Sequence, residues 1–172
     1  MSCGRTFLVA LFVACSVPTV RADCEGGACR EVARPGPPAP ETLPPGAREL
    51  VRYLDAWAGA RAMLLRYGAR HPDLIARVSL LATLASELDA VRAAGATIDR
   101  AAVEAWLGAA LADVEARLLE LGNRCGPQHL ELRGAEARRD ALREALARVG
   151  AGDLEPPALE PPQPGRAQPA PR

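Results

Sequence analysis

The sequence predicts an all-α fold: two αα-hairpins packed as a small up-down helical bundle, set between two proline-rich arms expected to be disordered. Three observations predict it. Apolar residues recur at three- and four-residue steps in four segments between residues 47 and 150, and no segment alternates as a strand does. Glycine and proline mark the joints between these segments, and the links are short, which favours antiparallel neighbours. Residues 34–46 hold six prolines and residues 153–172 hold seven, so neither stretch suits a helix or sheet interior. An extended antiparallel coiled coil is the alternative arrangement of the same helices.

In chain order, the first element is an export signal over residues 1–22. A short start containing Arg5 leads into the apolar run FLVALFVACSV at residues 7–17. Pro18 breaks that run, and Val20 and Ala22 present small residues for cleavage. The run is short for a permanent bilayer anchor, which needs about 20 apolar residues. FVAC at residues 12–15 also resembles a bacterial lipobox, with Cys15 the lipidated residue, and membrane attachment is expected only on that alternative. Cleavage after residue 22 leaves 19 basic against 21 acidic residues, with no basic face, which argues against a nucleic-acid partner. Every basic residue is Arg, and with 16 prolines this reads as the coding bias of a GC-rich bacterial genome. The expected location is periplasmic or extracellular.

Residues 23–46 form a Cys-containing, proline-rich linker. Cys24 and Cys29 enclose the flexible loop EGGA and are the expected disulfide of an oxidising compartment. Cys125 is then left free or joined to another chain. The spacing in CEGGAC is neither that of haem attachment nor that of a redox CxxC.

The helical domain spans residues 47–150. The first helix runs from about Ala47 to Tyr67 on Leu50, Leu54, Trp57 and Leu64, and Gly68 ends it. The second opens at Pro72, carries the stripe Leu74, Val78, Leu81, Ala85 and Leu88, and closes at Gly95. Leu65 and Leu80 fall off these stripes, which predicts some exposed apolar surface. Thr97 is the expected N-cap of the third helix, whose buried face is Val103, Leu107, Ala110, Val114, Leu118 and Leu121. Residues 122–126 interrupt it, Pro127 is expected to open the fourth helix, and Leu132, Ala135, Leu142, Leu146 and Val149 line that helix. Residues 151–172 are the second disordered, proline-rich segment.

A 58-residue internal repeat links the two hairpins. Gly68, His71, Asp73 and Leu74 align with Gly126, His129, Glu131 and Leu132, and both sets read as helix-stop, helix-start turns. An up-down bundle puts its first and third turns at one end. His71, Cys125 and His129 would then form a candidate zinc or copper site, with Asp73 and Glu131 nearby.

Two family resemblances bear on function. Arg66, Tyr67, Pro72 and Arg77, the stretch over residues 95–103, and Glu115 resemble elements of the small exported all-helical chorismate mutases. Val78 stands where that family has Glu, and Arg61, Arg66 and Arg77 are the cations that would meet its dicarboxylate. RYGARHPDLIARVSLLATL, residues 66–84, resembles the periplasmic helical segment of polysaccharide chain-length determinants of the Wzz type. That resemblance implies periplasmic helical-hairpin architecture and oligomerisation rather than chain-length control. No Ser-His-Asp order or phosphate loop appears, and the chain is expected not to be an enzyme. The expectation is a helical interaction protein of the envelope, self-associating or binding a protein partner through its helix faces. A metal-binding bundle is the alternative.

Overall fold

Helix α1, Pro45–Tyr67, organises the molecule. Pro45 suits the first turn, where its missing N–H is not needed, and Gly68 at φ 80° turns the chain out of the last. Of the predicted stripe Leu50, Leu54 and Trp57 are buried and Leu64 is partly so, but Ala47, Val51, Tyr53, Ala56, Ala58, Gly59 and Ala60 are buried too. Over residues 46–60 nearly every face of α1 is covered, and α1 is therefore the central rod of the bundle.

These relationships come from a computed structural model that describes residues 36–124 and 126–159. Residues 1–22, expected to be an export signal and containing Cys15, and Cys24, Cys29 and Cys125 lie outside the described residues. Four helices and a 3-10 turn make up the described part, with no strand in it. The other helices are α2, Pro72–Ala93; α3, Arg100–Arg124; and α4, Leu130–Gly150. They pack as an up-down bundle, α1 against α2 on one side and α4 on the other. Helix α3 lies along α4 and touches α1 more lightly, while α2 packs against α1 alone.

Two helix starts differ from the sequence reading. The side chain of Asp99, not Thr97, caps α3, its Oδ1 accepting from the Ala102 N–H at 3.1 Å. Thr97 is instead held by packing: a Cβ added to Gly46 would lie 2.8 Å from its carbonyl oxygen, so the α2–α3 loop and the start of α1 fit only around a glycine. Pro127 does not open α4; His129 caps it, and Pro127 sits in the preceding turn. Helix α3 also continues through Gly122 to Arg124. Within α2 the buried residues are Leu74, Leu81, Leu84 and Leu88, and Val78 faces outward, because α2 has a neighbour on one side only.

Charged pairs run along the α1–α4 seam. Asp55 accepts from Arg138 at 2.7 Å, Arg61 pairs with Glu144, and Arg66 lies 3.7 Å from Glu131. All are partly exposed, so each contributes at most about 1 kcal/mol. They fix the antiparallel register more than they stabilise it. Burial of the α1 side chains, at about 25 cal/mol per Å2 of apolar surface, stabilises the bundle more.

Candidate functional site

The repeated turns are N-caps. His71 Nδ1 accepts from the Asp73 N–H at 3.3 Å, and His129 Nδ1 accepts from the Glu131 N–H at the same distance. Each histidine also donates its own N–H to the carbonyl of the glycine three residues earlier, Gly68 or Gly126. Asp73 and Glu131 then sit in the first turn, where the helix dipole favours a carboxylate. The His71 ring further stacks on Tyr67 at 4.4 Å between centroids.

The Arg66–Glu131 approach shows that the α1 C-terminus meets the α4 N-terminus, so the two turns do lie at one end. Among the described residues, however, no three His, Cys, Asp or Glu side chains converge on a common point, and Cys125 is not among them. The capping bonds bear on metal chemistry as well. An Nδ1 that accepts leaves the proton of a neutral ring on Nε2, so a metal ion would have to displace the cap or reverse the tautomer.

The cations of the mutase resemblance are engaged separately. Arg61 pairs with Glu144 and lies 5.0 Å from the Trp57 ring centre. Arg66 reaches Glu131, and the guanidinium of Arg77 covers Gly59, whose added Cβ would come within 2.7 Å of it. Glu115 accepts from Arg143 at 2.6 Å.

The aromatic side chains instead hold the proline-rich arms. Trp106 Nε1 donates to the Pro38 carbonyl at 2.8 Å. Tyr53 donates to the Pro157 carbonyl at 2.8 Å and Trp57 to the Ala158 carbonyl at 3.3 Å. Arg92 of α2 donates to the Leu154 carbonyl at 2.7 Å, and Arg148 of α4 meets Asp153 at 2.7 Å. Residues 153–159, predicted as the start of a disordered tail, are therefore a strap laid across α1 between α2 and α4. Pro157 is buried, and Leu154 and Leu159 pack against the core. The crevice beneath is filled by Leu50, Leu54, Ala145, Val149, Leu154 and Pro157 and leaves no free volume.

The chain matches no protein-family model, no curated protein and no solved structure.

The strap had a signal in the sequence. Tyr53, Trp57 and Trp106 fall on apolar helix faces, and a buried phenol or indole needs an acceptor that a helix does not supply. Burial raises the Tyr53 pKa above its usual value. Asp153 moves the other way: the Glu155 N–H it accepts and the Arg148 guanidinium beside it hold its carboxyl below the usual range.

The remaining feature is the outer face of α2. Ile75 is 57% exposed and Val78 46%, with Ser79, Ala82, Thr83 and Ser86 beside them. Two of the hydroxyls turn back to the helix, Ser79 to the Ile75 carbonyl at 3.2 Å and Thr83 to the Ser79 carbonyl at 3.3 Å. Between Asp73 and Glu87 the only charged residue is Arg77, which turns inward over Gly59. The first three turns of α2 thus present an uncharged strip of apolar and small side chains.

Proposed function

We propose that this protein is a non-enzymatic, exported helical interaction protein of the bacterial envelope that self-associates through the outer face of α2. The observation that carries the reading is that strip: Ile75 and Val78 stand exposed on a helix whose only helical neighbour is α1. A contiguous apolar surface on a small domain calls for a partner. Ser79, Ala82 and Ser86 are small enough to let another helix approach closely, and a strip without charge meets its own copy without like-charge repulsion. Export rests on the pattern of residues 1–22, and among the described residues no helix is long and apolar enough to cross a membrane.

Sedimentation equilibrium tests the proposal. The mature chain is expected to rise from monomer to dimer mass with concentration, and Ile75→Glu/Val78→Glu to remain monomeric with an unchanged helical circular dichroism spectrum. A wild-type chain that stays monomeric up to millimolar concentration would sink self-association.

A further inference from the structure

The groove under the strap is occupied, and its occupant defines what it recognises. Its floor is α1 and its walls are α2 and α4, which do not touch one another. Tyr53, Trp57, Arg92 and Arg148 each donate to a main-chain carbonyl of the strap, at 2.8, 3.3, 2.7 and 3.3 Å respectively. Carbonyls are what a proline-rich segment has to offer, since proline lacks the N–H and keeps the chain extended, and aromatic-lined grooves read such segments elsewhere. Side chains add selectivity. Leu154 packs on the core, Glu155 meets Arg92 at 3.2 Å, and Pro157 is buried. The groove therefore reads Leu-Glu-Pro-Pro in extended form.

The sequence carries that tetrapeptide twice, at residues 154–157 and again at residues 159–162. The sequence thus offers two copies of the ligand for this groove, Leu159 of the second already packing on the core when the first is seated. The strap leaves α4 through Gly150, Ala151 and Gly152, and Gly152 at φ 84° takes a conformation costly for other residues. This closes α4 before the strap begins, the Gly152 and Asp153 N–H groups bonding back to Val149 and Arg148, so the strap can leave the groove while α4 stays intact. Seating the second tetrapeptide instead of the first adds five residues to the connection, about 16 Å of reach in extended chain.

We infer that the groove between α2 and α4 is a binding site for extended Leu-Glu-Pro-Pro segments, and that it accepts this segment in trans from the tail of a second copy. The repeated tetrapeptide favours a second copy over a foreign partner. Exchange is reciprocal: each chain gives a tail and takes one, and the contacts made in trans repeat those made in cis. The high effective concentration of the cis strap confines exchange to crowded chains.

Two full-length mature variants test this, both carrying Ile75→Glu/Val78→Glu so that pairing through α2 is silent. The groove variant adds Arg92→Glu/Arg148→Glu; the tail variant adds Leu154→Asp/Leu159→Asp. In sedimentation velocity, each alone is expected to be monomeric and the equimolar mixture to form a one-to-one heterodimer. A dye-labelled peptide of residues 153–162 is expected to bind the tail variant about tenfold or more tighter than either the groove variant or the wild type, where the cis strap competes. If the mixture stays monomeric while both variants keep their helical spectrum, exchange is wrong. If the peptide binds but no heterodimer forms, the site takes a foreign peptide and the second-copy assignment is overturned. Should the arginine variant unfold, Tyr53→Phe removes the donor to Pro157 with little change of volume and must weaken peptide binding in the same assay.

Discussion

Single glycines and histidines show how local chemistry fixes this molecule. Gly46 and Gly108 are both helical, yet an added Cβ meets the Thr97 carbonyl at 2.8 Å in the first case and open space in the second. Gly46→Ala should therefore destabilise by about 1–3 kcal/mol through overpacking. Gly108→Ala should stabilise by up to about 1 kcal/mol, since alanine loses less backbone freedom in a helix interior. Urea unfolding of the two variants checks opposite signs for one substitution. At the turns, His71→Ala and His129→Ala should each cost about 1 kcal/mol of stability by removing the capping acceptor, with Asn at either position restoring most of it. His71 also loses its Tyr67 stack, so its variant should be the worse of the two. These turns were legible in the sequence because glycine, histidine and an acid recur at one spacing. Asp99 was not singled out, because Thr97 is an equally good capping residue by type and only the path of the loop distinguishes them.

At the scale of elements, the four helices were readable from aliphatic spacing, while their ranks in the packing were not. Over residues 46–60 helix α1 is covered on nearly every face, with Ala47, Ala56, Ala58, Gly59 and Ala60 buried, residues whose contribution comes from close approach and leaves no stripe. Val78 was placed on the buried stripe of α2 because a regular four-three step assumes neighbours on both sides of the seam, and α2 has only α1. The strap was hidden by its prolines, which argue against helix and sheet but say nothing against docking as an extended chain. Its pH response follows from its two ends. Asp153 has a lowered pKa when folded, so its contribution is complete above the unfolded carboxyl value of about 4 and is lost as pH falls through the folded one. Tyr53 has a raised pKa, so its contribution is complete below about pH 10 and is lost as pH rises through the folded value, where a phenolate can no longer donate to Pro157. Indole fluorescence of a Trp106→Phe variant, which reports Trp57, should be flat between these limits and change beyond both. Arg148→Ala should move the acid limit upward, toward that of a free carboxyl.

For the whole molecule, charge and apolar surface are separated. Paired Arg and acidic side chains lie along the α1–α4 seam, and the outer side of α2 carries none over its first three turns. Salt should distinguish the two. Screening weakens the seam pairs, each worth little at the surface, so the midpoint of thermal unfolding should fall by only a few degrees, roughly, in 1 M salt. Association through α2 should hold in the same salt, taken as sodium chloride, because apolar contact carries no charge to screen. Measured together on one sample, falling stability with undiminished dimer mass would separate the register-setting charges from the associating face.

The central position of α1 governs the order in which this protein can be made. Its partners on one flank, α4 and the strap, lie some hundred residues downstream, with Tyr53 bonded to Pro157 and Trp57 to Ala158. A chain synthesised from its N-terminus produces this rod first and its cover much later. In the interval α1 can close against α2 and, more lightly, α3, with one apolar flank still open. Completion waits for distant contacts, which are slow to form and leave sticky intermediates in the meantime. A cell making this protein must therefore shield a nascent helix until the far end of the chain arrives to cover it.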